Sequence, residues 1–466
     1  MTRFFYSLVV WLAQPFLRRK LLKRGQQESG YLEAVDERFG YYTAAPNLVK
    51  DGLVWVHAVS LGETRTAAVL VARLRERLPG MRLLLTHGTA TGRAEGAKLL
   101  RAGDLQSWQP WDTPGAVDRF LTHFKPRIGI LMETEIWPNL VAACQRRHVP
   151  LVLANARMSD KSQRQSQRLA CLSRPAFAAL TAVWAQTDAD AQRLKQLGAT
   201  VQGVFGNLKF DAAPNAAQVA IGRAWRQQAE RPVLMFASSR EGEEAALLKV
   251  LATSLTSTYG LPLVTRHEAG AQASSFATAT DVQWLIVPRH PQRFDEVAAL
   301  MAQHGFAVSR RSTWLDGPPG TRHSDLSAEL EAGAAAIPAA GHDTRPVIWL
   351  GDSLGEMALY YGLADVALLG GSFEPLGGQN LIEAAACACP VVMGPHTFNF
   401  AEAAELAVLA GAAQRVSDLS QAVEVAQTLV SNPAVHTAMV SAAAEFSSAH
   451  RGAVDKTASA VLALLQ

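Results

Sequence analysis

From residue 53 onward, short apolar runs alternate with stretches of helical periodicity, and no other feature constrains the fold as tightly. The first series of runs falls at 53–59, 82–86, 128–132, 151–154, 182–185 and 201–204, with helical stretches such as 66–78 and 115–124 between them. A second series falls at 233–237, 284–287, 347–350, 366–369 and 391–393. Strands alternating with helices in this way predict parallel sheets covered on both faces. A chain of 466 residues is too long for one core. The polar, Ala- and Gln-rich stretch 211–231 marks the domain boundary. The expectation is an α/β protein of two Rossmann-like domains facing a cleft, residues 45–212 and 213–445. A C-terminal helix over 446–466 can pack back on the first domain. Ligands of such folds bind at the carboxyl ends of the strands. Two stretches rich in small and polar residues, 272–281 and 312–344, read as loop insertions in the second domain.

A hydrophobic content of 49%, a charged content of 18% and a net charge of +3 describe a globular chain and give no argument for nucleic acid. Cys144, Cys171, Cys387 and Cys389 have neither disulfide nor zinc spacing, which fits a reducing compartment. The amino end departs from this even composition. Residues 4–17 are mostly apolar, and Arg18, Arg19, Lys20, Lys23 and Arg24 follow with no acid among them. A membrane span needs about 20 apolar residues, and this run is shorter and holds Gln14 and Pro15. A secretory signal places its basic residues first. Residues 1–24 therefore read as an interfacial or marginally spanning anchor, with its basic flank at anionic headgroups. The plain alternative is a terminal helix docked on the protein's own core.

Six stretches carry chemistry-bearing residues at predicted strand ends. Val366–Leu369 stops at Gly370-Gly371, and Gly377-Gly378 precedes Asn380, Leu381, Ile382 and Glu383, where an Ala-rich helix begins. A glycine loop feeding a helix N-terminus suits an anionic phosphate, and Glu383 suits a ribose hydroxyl. An ordinary packing turn capped by Asn380 is the alternative. In His57-Ala58-Val59-Ser60-Leu61-Gly62-Glu63, Glu63 is either a cleft-facing base or one half of a capping box with Ser60, and spacing alone favours the cap. Glu133 and Glu135 follow another strand, where alternation directs both to one side and mutual repulsion raises a pKa. Lys209 lies near the boundary, suited to a departing phosphate. Arg289 after Pro288 suits a phosphate clamp, and Ser353 or the Gly355 backbone suits a nucleotide. Asp188-x-Asp190 has the look of a metal motif, but acids opening a helix explain it.

Taken in order, residues 57–63, 132–140, 206–211, 288–294, 352–357 and 370–400 resemble the 3-deoxy-D-manno-oct-2-ulosonic acid (Kdo) transferases of lipopolysaccharide assembly. Glu37-Arg38-Phe39-Gly40 and the amino end are similar as well. The resemblance covers nearly the whole chain. It implies a glycosyltransferase B-type fold at the cytoplasmic face of the inner membrane, with CMP-Kdo as donor substrate and neither metal nor cofactor. The implied acceptor is the tetraacylated disaccharide bisphosphate precursor of lipid A. Position by position, Glu63 matches the general base, and Glu133 and Lys209 match residues that stabilise the transition state. Pro288, Arg289, Gly355, Glu356, Met357, Asn380, Leu381, Ile382 and Glu383 match the CMP-binding segments. Two departures stand out: Gln379 occupies a position where the family commonly has His, and the 312–344 insertion is longer than expected. Two rival readings share these motifs: a sugar-nucleotide epimerase or a different glycosyltransferase, and a non-catalytic nucleotide-binding scaffold at the membrane. Neither the number of sugars transferred nor the oligomeric state is legible in the sequence.

Overall fold

A computed structural model describes residues 2–43, 52–259, 282–319 and 345–466, with side chains described up to 253 in the second of these segments. The stretch 272–281 and most of the 312–344 insertion lie outside the described residues. The chain divides into two compact units, Met1–Ala212 with His450–Gln466, and Ala213–Ala449.

Unit 1 is built on seven parallel strands: β1 (Leu53–His57), β2 (Leu83–His87), β3 (Leu105–Trp108), β4 (Pro126–Met132), β5 (Leu151–Ala156), β6 (Ala182–Ala185) and β7 (Val201–Val204). Their order is β3-β2-β1-β4-β5-β6-β7. The chain runs outward from β1 to β3, then returns to the other side of β1 at β4. That reversal leaves a crevice between the loops leaving β1 and β4, the place where such sheets bind ligands. Trp55 in β1 pairs with Leu84 and Gly129. A Cβ on Gly129 would meet the Trp55 ring at 2.6 Å, so glycine makes room for the indole. One sheet face buries Trp55, Phe120 and Phe124. The other buries Val54, Val56, Leu70 and Leu74 together with Val454, Ala458, Val461 and Leu465 of helix Ala453–Leu465.

Unit 2 repeats the plan with β8 (Val233–Ser239), β9 (Gln283–Pro288), β10 (Ala307–Arg310), β11 (Val347–Leu350), β12 (Val366–Leu369), β13 (Val391–Met393) and β14 (Ala413–Arg415). The order is β10-β11-β9-β8-β12-β13-β14, so its reversal falls between β8 and β12. The stretch 211–231 is not a bare linker. Within it, helix Ala216–Gln228 buries Val219, Gly222 and Trp225. It lies against helix Met357–Leu363 so closely that a Cβ on Gly222 would stand 2.1 Å from the Leu359 carbonyl oxygen. The helical tail is two helices, Pro433–Ala449 and Ala453–Leu465, separated at Gly452, whose φ is +101°.

The amino end forms helices Thr2–Leu12 and Gln14–Gln27, the second started by Pro15. The Tyr6 hydroxyl bonds to the buried Asp112 carboxylate, and Ser7 Oγ donates to Asn139 Oδ1 at 3.0 Å. Phe4, Phe5, Leu8, Val9, Trp11, Leu12 and Phe16 are left exposed. Among the described residues, no helix is long and apolar enough to cross a membrane.

Candidate active site

The crevice of unit 1 gathers carboxylates. Ser60 caps helix Leu61–Arg77, and its Oγ accepts the Glu63 N–H at 3.4 Å. In return, Glu63 Oε2 accepts the Val59 N–H at 2.8 Å and Oε1 accepts the Ser60 hydroxyl at 3.1 Å. The Ser60 cap is therefore formed, with the return bond from Glu63 reaching Val59, one residue before the N-cap, and it holds the carboxylate beyond the end of β1. Burial pushes the Glu63 carboxyl up to about 7, with Glu133 and Glu135 adding repulsion. Capping and base chemistry do not exclude each other here, because the same hydrogen bonds fix the group and the same crevice tunes it.

Glu133 and Glu135 do not continue the strand. β4 ends at Met132, and Glu133 turns the chain at φ +60°. The alternation argument for a common side therefore fails; the turn, not the strand, sets both positions. Burial raises the Glu135 carboxyl. Lys209, on the short turn Leu208–Asp211, brings Nζ to 3.4 Å from Glu133 Oε1. That turn is held by Asn155, whose Oδ1 accepts the Leu208 N–H at 3.0 Å. His57, at the end of β1, is buried beside Thr86, and burial pushes its imidazole down to about 3, so it is neutral structure. Thr187 caps helix Asp188–Gln196 by accepting the Asp190 N–H at 3.0 Å, and the Asp190 carboxylate in that first turn takes the Thr187 hydroxyl and the Met158 N–H, each at 2.7 Å.

In unit 2 the motifs converge on the ends of β8, β9, β11 and β12. Pro288 ends β9, and the Arg289 N–H donates to the Ser239 carbonyl at 3.0 Å. Gly355 has φ +77°, and its carbonyl accepts Gln218 Nε2 at 2.9 Å. Glu356 takes the Arg311 guanidinium at 2.9 Å and the Ser353 hydroxyl. Ser353 Oγ is thus hydrogen-bonded within the protein, to Glu356 and to the Tyr360 hydroxyl. Met357 opens its helix with Ser238 Oγ 3.9 Å from its sulfur. Asn380 caps helix Leu381–Ala386 by accepting the Ile382 N–H at 3.2 Å; Leu381 and Ile382 are buried, and Glu383 lies in the first turn. Gly370 has no room for a side chain, since a Cβ would lie 2.4 Å from the Ser238 carbonyl oxygen. Gly371, Gly377 and Gly378 all have positive φ, which glycine alone adopts without strain.

Comparison with known proteins gives these residues a context. The family profile described as 3-deoxy-D-manno-octulosonic-acid transferase (kdotransferase) matches residues 33–212. A 3-deoxy-D-manno-octulosonic acid transferase of Bordetella pertussis is 43% identical over 467 residues, covering 99% of this chain and 99% of its own length. The chain belongs to the 3-deoxy-D-manno-octulosonic acid transferase family. A transferase of the same name from Haemophilus influenzae is 29% identical over 91% of this chain and 89% of its own. Among solved structures, a glycosyltransferase from Rickettsia africae aligns with TM-score 0.51 at 11% identity, over 89% of this chain and 99% of its own. That likeness is one of fold: α/β with two parallel-sheet domains, as in glycosyltransferases of the B type.

This Kdo transferase is therefore a glycosyltransferase, and both of its sheets carry their candidate residues beyond the carboxyl ends of strands, with Glu63 and Glu133 flanking the reversal of unit 1. Sequence reasoning missed two supports. Asn155 interrupts the apolar end of β5, and a polar residue there was the signal. Glu243 is fully buried and accepts the Gly371 N–H at 2.8 Å and the Arg240 N–H at 2.9 Å, tying the start of helix Glu243–Tyr259 to the loop after β12. Its run of acids after a strand reads in sequence as ordinary first-turn residues. Glu37-Arg38-Phe39-Gly40 is spent on structure: Arg38 lies 3.8 Å over the Trp108 ring, and Glu37 accepts the Arg93 guanidinium at 2.8 Å.

Proposed function

We propose that the enzyme transfers Kdo from CMP-Kdo to the tetraacylated disaccharide bisphosphate precursor of lipid A, with inversion and without a metal. Glu63 removes the proton of the acceptor hydroxyl as its oxygen bonds to the anomeric carbon. The bond from that carbon to the phosphate oxygen breaks, and CMP leaves with the electron pair. The observation that carries this reading is the Glu63 carboxyl. It is fixed by two hydrogen bonds at the reversal of unit 1 and tuned to about 7, near the pH at which a base of the cell interior works. Lys209 and Glu133 stabilise the charge that develops during transfer. Unit 2 binds CMP through Arg289, through the segment Gly355 to Met357, and through Asn380 to Glu383.

The exposed apolar residues of helix Thr2–Leu12, with Arg18, Arg19 and Lys20 on the next helix, support interfacial binding at the inner membrane, where a lipid acceptor resides. The test is transfer from CMP-Kdo to the tetraacylated precursor in excess EDTA, with wild type beside Glu63→Gln. Product from the wild type alone supports donor, acceptor, metal independence and base together, and its mass counts the sugars. Product from both enzymes at similar rates removes Glu63 as the base; product from neither rejects the named reaction.

A further inference from the structure

The reversal of the unit 2 sheet lies between β8 and β12, and the first residue after β8 is Arg240. Its Nε is shielded from solvent and donates to no acceptor. A buried guanidinium N–H without a partner is costly, and native proteins rarely leave one without reason. The Arg240 stem lies against the loop after β12: Cγ is 3.7 Å from where a Cβ on Gly371 would be, and Gln379 Nε2 is 3.2 Å from the same point.

The surrounding acids do not serve it. The Glu243 carboxylate is taken by the N–H groups of Gly371 and Arg240, with Phe373 N–H at 3.3 Å. Glu244 Oε1 accepts from Arg293 at 2.8 Å and from Ser239 at 2.8 Å, and Glu244 Oε2 receives no hydrogen bond from Arg240. Glu241 is exposed to solvent. Burial first, and then the cationic Arg240 and Arg289, lower the His290 imidazole below its ordinary value, so positive charge surrounds the end of β9. Buried donor, cationic surroundings and glycine loop together suit an anion with two oxygens, which a guanidinium binds in a fork.

We propose that Arg240 is a further donor-binding residue, whose guanidinium takes a pair of anionic oxygens of the sugar nucleotide. The inference rests on the donor reading given above. CMP-Kdo offers two such pairs, the phosphodiester and the carboxylate on the anomeric carbon. A contact to the carboxylate sets sugar specificity, because common nucleotide sugars lack that group. A contact to the phosphodiester neutralises the leaving group.

Binding of CMP and of CMP-Kdo to full-length wild type, Arg240→Gln and Arg240→Lys separates these cases, with thermal melting confirming that each variant folds. Loss of a charged bidentate contact is expected to weaken binding roughly tenfold or more. Weakening toward both ligands supports contact with the phosphate, and weakening toward CMP-Kdo alone supports the carboxylate. Arg240→Lys keeps charge and stem but not the fork, and an intermediate loss supports bidentate binding. Folded variants that bind both ligands as the wild type does overturn the assignment of Arg240 alone. A wild type that binds neither ligand overturns the donor reading and this inference with it.

Discussion

Lys209 Nζ stands 3.4 Å from Glu133 Oε1, joining the turn after β7 to the turn after β4. Both side chains keep partial solvent access, with 25% and 20% of their surface exposed, so the pair is not a structural clasp of the buried kind. The transition-state role proposed for the pair can be tested on Lys209. Lys209→Met should lower kcat by roughly 100-fold or more, as removal of a transition-state donor does, and leave CMP binding unchanged. Steady-state transfer and CMP titration together check this; a change in KM with kcat intact would reject the role.

The Glu63 carboxyl predicts a pH profile. Because it titrates at about 7 in the fold, kcat/KM should fall tenfold per unit below about that pH and level off above it.

The same shift has a stability consequence. The raised carboxyl has an ordinary value of 4.5, and ionising it opposes folding. Below about 4.5 it is protonated in both states and costs nothing; the cost grows toward 7 and is complete above it. Glu63→Gln never ionises, so its stability relative to the wild type should increase between pH 4.5 and 7 and then hold. Denaturant melts at pH 5 and 8 read the difference; an equal offset at both would contradict the shift.

Gly222→Ala should destabilise unit 2 by roughly 1–3 kcal/mol, because the added methyl overlaps the Leu359 carbonyl and forces the two helices apart. Thermal unfolding measures it, and an unchanged melting temperature would show that the helix pair yields freely.

Replacing Phe5, Leu8 and Trp11 together by Ser should abolish binding to vesicles containing anionic lipid while leaving CMP binding intact, since these residues are exposed on helix Thr2–Leu12. Vesicle sedimentation checks it; persistent binding would move the membrane contact elsewhere.

The strands with continuous apolar runs, such as Val366–Leu369, were legible because a central parallel strand is buried on both faces. Leu105–Trp108, Ala307–Arg310 and Ala413–Arg415 escaped notice because each lies at a sheet edge and carries polar residues. Glu63 was legible as a cap from the Ser60-x-x-Glu63 spacing, but its raised carboxyl comes from burial in the folded crevice, to which Glu133 and Glu135, far away in sequence, add repulsion. Glu133 was misplaced because a left-handed turn in a non-glycine residue has no dependable sequence signal. Arg240 and Glu243 gain their meaning only when β8 and β12 become neighbours.

Helix Ala453–Leu465 completes the core of a unit whose other residues end at Ala212. On the ribosome, that core must wait with the strip that Val454, Ala458, Val461 and Leu465 cover left open, beside the part already packed by helix Leu61–Arg77, while all 237 residues of Ala213–Ala449 are made. Unit 2 has its whole sequence before unit 1 does, reversing the usual amino-to-carboxyl order of domain completion. For that interval the open strip of the first sheet is apolar surface that only the finished chain buries.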